Sequence, residues 1–260
     1  MTTEVSLITV TYNSAPTLER FWAGRPFGPY AWTVVDNSSS DGSAQVGRRL
    51  GAQVIELETN RGFSTANNVG AAATESEVLI FCNPDVTVTP DGIAALAAQV
   101  RRHGGIVAPQ LVNADGTLQE NGRGIPYLHR KVGHLLGYDS PRYVKRAEAS
   151  EVIDVAWVMG AALAMTRADF RRVGGWDPAY FLYYEDHDLG LRSRALGLPV
   201  RVDGGVRWVH GWRRETRRNV TVRAWRNELR SAARFYGTHP YCLLPLPDRS
   251  TRRLRRLGVA

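Results

Sequence analysis

The chain has 260 residues, 33 Lys and Arg against 25 Asp and Glu (formal net charge +8), and 43% hydrophobic residues. That apolar content serves one large domain or two small ones and argues against intrinsic disorder, while two cysteines, Cys82 and Cys242, argue against a disulfide framework and suit a reducing compartment. Met1-Thr2-Thr3-Glu4 lacks the basic region of a secretory signal, and the longest largely apolar stretch, Val152–Met165, contains Asp154 and is too short to span a bilayer, so the expectation is a soluble, cytoplasmic protein.

Four apolar runs, Val5–Val10, Trp32–Val35, Gln53–Leu57 and Glu77–Phe81, read as strands buried on both faces of a parallel sheet. Helix-like segments lie between and after them, over roughly Ala15–Trp22, Gly42–Leu50 and Ser64–Ala73. Alternation of this kind predicts repeated βαβ units. Pro90-Asp91 opens a further helix through Arg101, with proline and an acid at its start. After Val107 the regularity fades: Asn113–Gly116 reads as a turn and Gly122–Ala149 as a loop-rich, basic insert. A strand over Val152–Val158, a helix over Arg167–Val173, a Gly174-Gly175 break and a helix over Glu185–Leu196 complete the second half.

Charge is unevenly placed. Residues 1–200 hold 18 Lys and Arg against 21 acids, whereas residues 201–260 hold 15 Arg against four acids. The basic end therefore calls for an anionic partner: membrane headgroups, a diphosphate or nucleic acid. A helix over Asn219–Tyr236 would place Val222, Trp225, Leu229, Ala232 and Tyr236 on one stripe, beside a second of Arg223, Arg226, Arg230 and Arg234. Packing on the domain accounts for the apolar stripe; an anionic membrane surface fits the basic one.

Polar residues gather where the strands end, which is where open α/β sheets bind ligands. They are Thr11-Tyr12-Asn13, Asp36–Gly42, Asn60-Arg61-Gly62 and Asn83-Pro84-Asp85. Turn-forming and capping preference explains any one of these loops, but four in succession point to a binding edge. No glycine-rich phosphate loop of either common type is present, which argues against a dinucleotide-binding dehydrogenase or a P-loop NTPase. Glu185-Asp186-His187-Asp188 then sets three acids at a helix start, behind Trp176, Tyr180, Phe181, Tyr183 and Tyr184. Acids there complement the helix dipole, and an ionised carboxylate beside an aromatic wall is also suited to act as general base towards a sugar hydroxyl.

Taken together, these segments resemble glycosyltransferase family 2, the inverting, nucleotide-sugar-dependent enzymes. The resemblance runs from Val5 to His210. It rests on Val5–Asn13, Val34–Gly42, Asn60–Phe63 with Asn67 and Gly70, Asn83–Asp85, Gly174–Asp177 and Glu185–Asp188 with Arg192. The wording is nearest the bacterial rhamnosyltransferase branch, which builds cell-wall or surface polysaccharide. It implies an α/β, GT-A (Rossmann-like) fold with a mixed central sheet: a catalytic domain over residues 1–210, divided into nucleotide-binding (1–110) and acceptor (111–210) halves. Residues 211–260 would form an Arg-rich helical extension packed on it.

The resemblance also implies roles. Thr11, Tyr12, Asp36, Asp41, Arg61, Asn67 and Asn83 would line the donor nucleotide-sugar. Asp85 and His210 would hold a divalent cation, Mg²⁺ or Mn²⁺. Asp186 would be the base, with Asp188 or Glu185 as fallback, and Trp157, Gly160 and Glu185 would shape the acceptor side. Asn83 departs from the family's Asp-x-Asp pattern and removes one carboxylate, predicting weaker metal binding. The implied partners are a nucleotide-sugar (dTDP-rhamnose by branch resemblance, with UDP- and GDP-sugars open), a glycan or polyprenyl-diphosphate-linked acceptor, and the inner face of an anionic membrane. Oligomeric state stays open, a homodimer included. A nucleic-acid-binding protein would use the Arg-rich end but leave the Asp-lined edge idle. A nucleotidyltransferase would need a basic glycine-rich first loop, and a catalytically dead relative would not need Asp85, Asp186 and His210.

Overall fold

The computed structural model describes residues 4–24, 27–138, 140–211 and 222–243. The first half follows the expected alternation. Strands β1 (Val5–Thr11), β2 (Ala31–Asp36), β3 (Gln53–Glu56) and β4 (Val78–Cys82) are joined by helices α1 (Ala15–Trp22), α2 (Ser43–Arg49) and α3 (Phe63–Ala72). β1 pairs in parallel with β2 and β4, and β2 with β3. A short β5 (Val86–Thr87) and α4 (Pro90–His103) follow; Thr89 caps α4 by accepting from the Gly92 amide, and Pro90 stands at the first helical position.

The second half is more regular than its sequence suggests. Strands β6 (Ile106–Val112), β11 (Ala162–Thr166) and β12 (Val200–His210) complete the main sheet, in the order β3-β2-β1-β4-β11-β6-β12-β5. β11 runs antiparallel to both neighbours, which makes the sheet mixed. The Gly122–Ala149 insert, expected as loop, contains β7 (Gly122–Arg123), α5 (Leu128–Leu135) and β8 (Val144–Lys145). The single strand expected over Val152–Val158 is two: β9 (Val152–Asp154) lies on β12, while β10 (Trp157–Val158) joins β7 and β8 in a separate three-stranded sheet. Helices α6 (Arg167–Val173), α7 (Glu185–Ala195) and α8 (Val222–Thr238), followed by a 3-10 turn over Pro240–Cys242, complete the described residues.

Helices cover both faces of the main sheet. Leu18 and Trp22 of α1, Val46 of α2 and Ile93, Leu96 and Val100 of α4 share one core. Ala71 of α3, Phe170 and Val173 of α6 and Leu189 of α7 share the other. A third cluster, built from Tyr127, Tyr143, Trp157, Tyr184, Phe235 and Tyr236, joins the small sheet to α7 and α8.

Helix α8 docks through the C-terminal part of the stripe its periodicity suggests, where Ala232 and Tyr236 pack on the third cluster. Ser231, Phe235 and Tyr236 are buried, whereas Trp225 and Leu229 point outward. Phe235 packs against Tyr184 and His187, and Ser231 Oγ donates to the Leu182 carbonyl at 2.9 Å. Of the arginine stripe, Arg226 and Arg230 are exposed, while Arg234 donates to Asp177 at 2.8 Å. The expected Asn219 start and the arginines beyond Leu243 lie outside the described residues.

Candidate active site

Strand direction decides where the chemistry sits. β1, β2, β4, β6 and β12 all point the same way, so their C-terminal ends share one edge, joined there by the start of the antiparallel β11. Thr11, Asp36, Asn83 and Asp85, Gly160 and His210 therefore lie along that edge.

On the donor side, Thr11 and Asp36 are register partners on adjacent strands. Both are buried, and Thr11 Oγ1 and Asp36 Oδ1 have no hydrogen-bond partner, while Asp36 Oδ2 accepts from the Ser39 amide at 3.0 Å. Unmet buried acceptors are costly, and a ligand supplying donors relieves that cost. Tyr12 and Arg61 are exposed beside them. Asp41 and Asn67, expected to face the donor, have other partners. Asp41 accepts from the Ala15 and Ser43 amides and the Ser43 hydroxyl, which caps the starts of α1 and α2. Asn67 is buried within α3 and donates to the Phe63 carbonyl one turn back at 3.0 Å.

Two residues that sequence reading did not single out as site groups, Asn37 and Asn60, tie this side together. Asn37 donates to Asn60 Oδ1 at 2.9 Å and accepts from the Arg61 amide at 2.8 Å. The Phe63 amide then donates to the Phe181 carbonyl at 2.8 Å, which links the donor loop to the segment before α7. Gly62 has φ +82°, and a Cβ there would lie 2.6 Å from the Phe181 carbonyl oxygen, so only glycine permits the approach.

At the candidate metal position, β5 pairs antiparallel with the end of β12, setting His210 opposite Val86. His210 Nε2 consequently faces Asp85 Oδ1 at 3.5 Å. Gln119 sets the imidazole: its Oε1 takes a hydrogen bond from His210 Nδ1 at 2.8 Å, and its Nε2 donates to the His210 carbonyl at 3.0 Å and to Asn113 Oδ1 at 2.8 Å. With that amide orientation, a neutral ring has its proton on Nδ1 and its Nε2 lone pair toward Asp85. Two acceptors facing each other suit a cation between them, and the Gln119 contact is the outer-shell bond that metal-ligating histidines use. Among the described residues no group of three or more His, Cys, Asp or Glu is placed to hold a metal ion. Asp85 and His210 fit a cation whose remaining ligands come from a bound diphosphate and water. Asn83 is half-buried beside them.

The three acids of α7 occupy three different environments. Asp188 is buried and bound on both oxygens, by Arg192 Nε at 2.7 Å and His239 Nε2 at 2.9 Å. Arg192 also holds the Val173 and Gly175 carbonyls, so Asp188 is a structural tie between α7, the Gly174-Gly175 break and the chain after α8. Glu185 is buried with Oε2 unpartnered; burial first, and the neighbouring Asp186 charge second, raise its pKa well above the usual carboxyl range. Asp186 keeps 16% of its side chain exposed. Burial opposes its ionisation, but His187 and hydrogen bonds from the Gly160 and His187 amides outweigh that and hold its pKa below normal. Its Oδ2 accepts from Gly160 at 3.1 Å, and Oδ1 lies 2.6 Å from His187 Nδ1. Burial pulls the His187 imidazole down to about 4, against the upward pull of Asp186.

The supports of Asp186 are also legible. Trp157 stacks on His187 with ring centroids 3.5 Å apart, beneath the ring rather than along an open acceptor wall. Trp176 and Tyr180, expected in an aromatic wall, are wholly buried core residues. A Cβ on Gly160 would lie 3.5 Å from that of Asp186. Tyr183 and Tyr184 both adopt left-handed backbone, φ +70° and +68°. Bulky residues pay about 1–3 kcal/mol each for that conformation, and it turns the chain directly into Glu185-Asp186.

Known proteins resemble this chain in sequence and in fold. The family model for glycosyl transferase family 2 matches residues 6–173. An N-acetylglucosaminyl-diphospho-decaprenol L-rhamnosyltransferase from Mycobacterium tuberculosis is 34% identical over 223 residues, covering 76% of this chain and 72% of that protein. Rhamnosyltransferase WbbL of Escherichia coli K12 is 25% identical over 185 residues, covering 67% and 69%. A crystal structure of GalNAc-T7 with UDP, GalNAc and Mn²⁺ superposes with a TM-score of 0.64 at 18% identity, covering 99% of this chain and 54% of the other. The fold is thus the GT-A fold of nucleotide-sugar transferases. The chain belongs to glycosyltransferase family 2, in its rhamnosyltransferase branch.

Two outcomes follow from the site. Replacing Gln119 by Leu frees the His210 ring, and Mn²⁺ affinity measured calorimetrically with a nucleoside diphosphate present should fall about tenfold or more; an unaltered affinity would contradict the orienting role. Glu185, with its raised pKa, stabilises the fold below pH 4.5 and loses that contribution as pH rises toward its folded value. The unfolding free energy of wild type relative to Glu185→Gln should therefore decline on going from pH 4 to pH 7. A flat difference in urea titrations would show that Glu185 ionises freely.

Proposed function

We propose that the chain moves a sugar, L-rhamnose from a nucleoside-diphosphate donor (dTDP-rhamnose by its branch), to a hydroxyl of a polyprenyl-diphosphate-linked acceptor, inverting the anomeric carbon. The observation that carries this reading is that Asp186 alone among the α7 acids is both ionised and reachable, on the sheet edge shared with Asp36 and Asp85. The name of the Mycobacterium tuberculosis relative supports the rhamnose and lipid-diphosphate parts.

In this scheme the acceptor hydroxyl gives its proton to Asp186 as its oxygen attacks the anomeric carbon. The bond to the diphosphate oxygen breaks on the opposite face, and its electron pair leaves with the nucleotide. Direct displacement inverts configuration. His187 Nδ1–H and the Gly160 amide fix the carboxylate, and neutral His187 adds no proton of its own near pH 7. Thr11 and Asp36 receive the nucleoside. Asp85 and His210 would hold a divalent cation, which supplies charge neutralisation for the departing diphosphate. Asp186→Asn should lower kcat by about 10²–10⁴ while nucleotide affinity, followed by calorimetry, stays near normal. A variant retaining near-normal turnover would remove Asp186 from the role of base.

Membrane contact belongs to the same proposal. No helix of the described residues is long and apolar enough to cross a membrane. Yet Leu128, Val132 and Leu136 in and just after α5, and Trp225 and Leu229 on α8, are exposed, with Arg226 and Arg230 beside the latter pair. Exposed apolar residues flanked by arginines suit an anionic lipid surface. Flotation with phosphatidylglycerol vesicles should recover the protein and phosphatidylcholine vesicles should not; equal recovery from both would count against the contact.

A further inference from the structure

We infer that Arg123 and Lys131 form an anion subsite beside Asp186 that holds the phosphates of the acceptor rather than those of the donor. The inference rests on the lipid-linked acceptor reading and adds a location for the acceptor's charge.

Arg123 stands on β7 directly opposite Trp157 of β10, the residue that stacks on His187. Register partners in an antiparallel pair project to the same face, so the guanidinium extends toward the His187–Asp186 pair. Its side chain is only 7% exposed, with one bond from Nη2 to Glu120 Oε2 at 3.0 Å. Nε and Nη1 are buried with no hydrogen-bond partner. A buried guanidinium with two unmet N–H donors is completed by the oxygens of an anion such as phosphate.

Lys131 supplies a second cation from α5. Its ammonium sits 3.4 Å above the Tyr184 ring, and it is close enough to Arg123, Asp186 and His187 for their charges to act on one another. Burial lowers its pKa to about 8, so it remains mostly protonated at neutral pH, and an anion beside it would raise that value. Arg130, one residue earlier, likewise has a buried Nη1 without a partner. Asp186 and Glu228 act on Lys131, and Glu120 is shared among Arg123, Arg146 and His134, but none of these acids meets the orphaned N–H groups of Arg123. Buried cations with unmet donors are expensive unless a ligand completes them.

The position selects the source of the phosphate. Arg123 and Lys131 belong to the small sheet and α5 and act on Asp186 and His187, whereas the donor diphosphate is proposed at Asp85 and His210, after the C-terminal end of β4 and at that of β12. An acceptor whose sugar hydroxyl meets Asp186 carries its own diphosphate one sugar away, within reach of these cations.

The test compares three ligands, with the donor site filled by nucleoside diphosphate and Mg²⁺: farnesyl-diphospho-N-acetylglucosamine, the octyl glycoside of the same sugar, and farnesyl diphosphate alone. Calorimetry should show Lys131→Gln and Arg123→Gln weakening both diphosphate ligands about tenfold or more, with Lys131→Arg largely restoring affinity. The loss should be confined to ligands bearing phosphate, and KM should rise for the diphospho-sugar without a matching fall in kcat. If Arg123→Gln does not fold, Lys131→Gln and Lys131→Arg carry the test. Equal weakening of the octyl glycoside, equal native affinity for charged and uncharged glycosides, or binding of farnesyl diphosphate only when the nucleotide is absent would overturn the subsite. Lys131-dependent binding of farnesyl diphosphate with no turnover of either glycoside would keep the subsite and remove the transferase acceptor. Equal turnover of both glycosides would do the reverse.

Discussion

Three carboxylates within the first turn of one helix cannot all stay charged in a packed interior, and the site is organised around how that conflict is resolved. One is bound on both oxygens by Arg192 and His239, one is buried until the proton stays on, and only Asp186 keeps charge and access together. The helix dipole favours acids at this end but does not choose among them. The choice is made by neighbours drawn from elsewhere: Gly160 before β11, His187 on its bed of Trp157, and the left-handed Tyr183-Tyr184 that sets the angle of entry.

Those neighbours come from three layers of the molecule, so the environment of Asp186 is a property of the assembled fold. Helix α8 presses Phe235 against Tyr184 and His187. The residue after it, His239, ties the same segment to Asp188. On the opposite flank, the hydrogen bonds from Asn37 through Asn60 to the Phe181 carbonyl join the loops after β2 and β3 to the α7 entry. A change in either flank is felt at one carboxylate.

How much of this was legible depended on the range of the interaction. The βαβ half could be read, because buried parallel strands and amphipathic helices announce themselves locally; α1 and α6 begin and end where the pattern says. The polar ends of β1, β2 and β4 were equally visible. β12 was missed because Gly204-Gly205 interrupts its alternation, and β6 because Pro109 and Gln110 break an otherwise apolar run. Gln119, Arg123 and Lys131 carry no motif; their meaning arises only when β7, β10 and α5 fold over α7. Periodicity placed Ala232 and Tyr236 of α8 correctly on the docked face but not Trp225 and Leu229, since helical spacing defines a stripe but not how far along the helix a partner extends. Asp41 and Asn67 show the converse, being motif residues whose partners turned out to be backbone.

The irregularity in β12 has an evolutionary corollary. Four steps along that strand, Asp203 to Arg207, are matched by a single step along β6, from Pro109 to Gln110, before regular pairing resumes. Strand side chains alternate faces, so parity at this bulge governs whether the imidazole of residue 210 reaches Asp85 or turns to the opposite side. Gene-level insertions or deletions of one codon here would turn residue 210 to the opposite face, whereas changes of two codons would preserve its facing. Lineages descended from such a chain should therefore vary in length at this spot by even numbers.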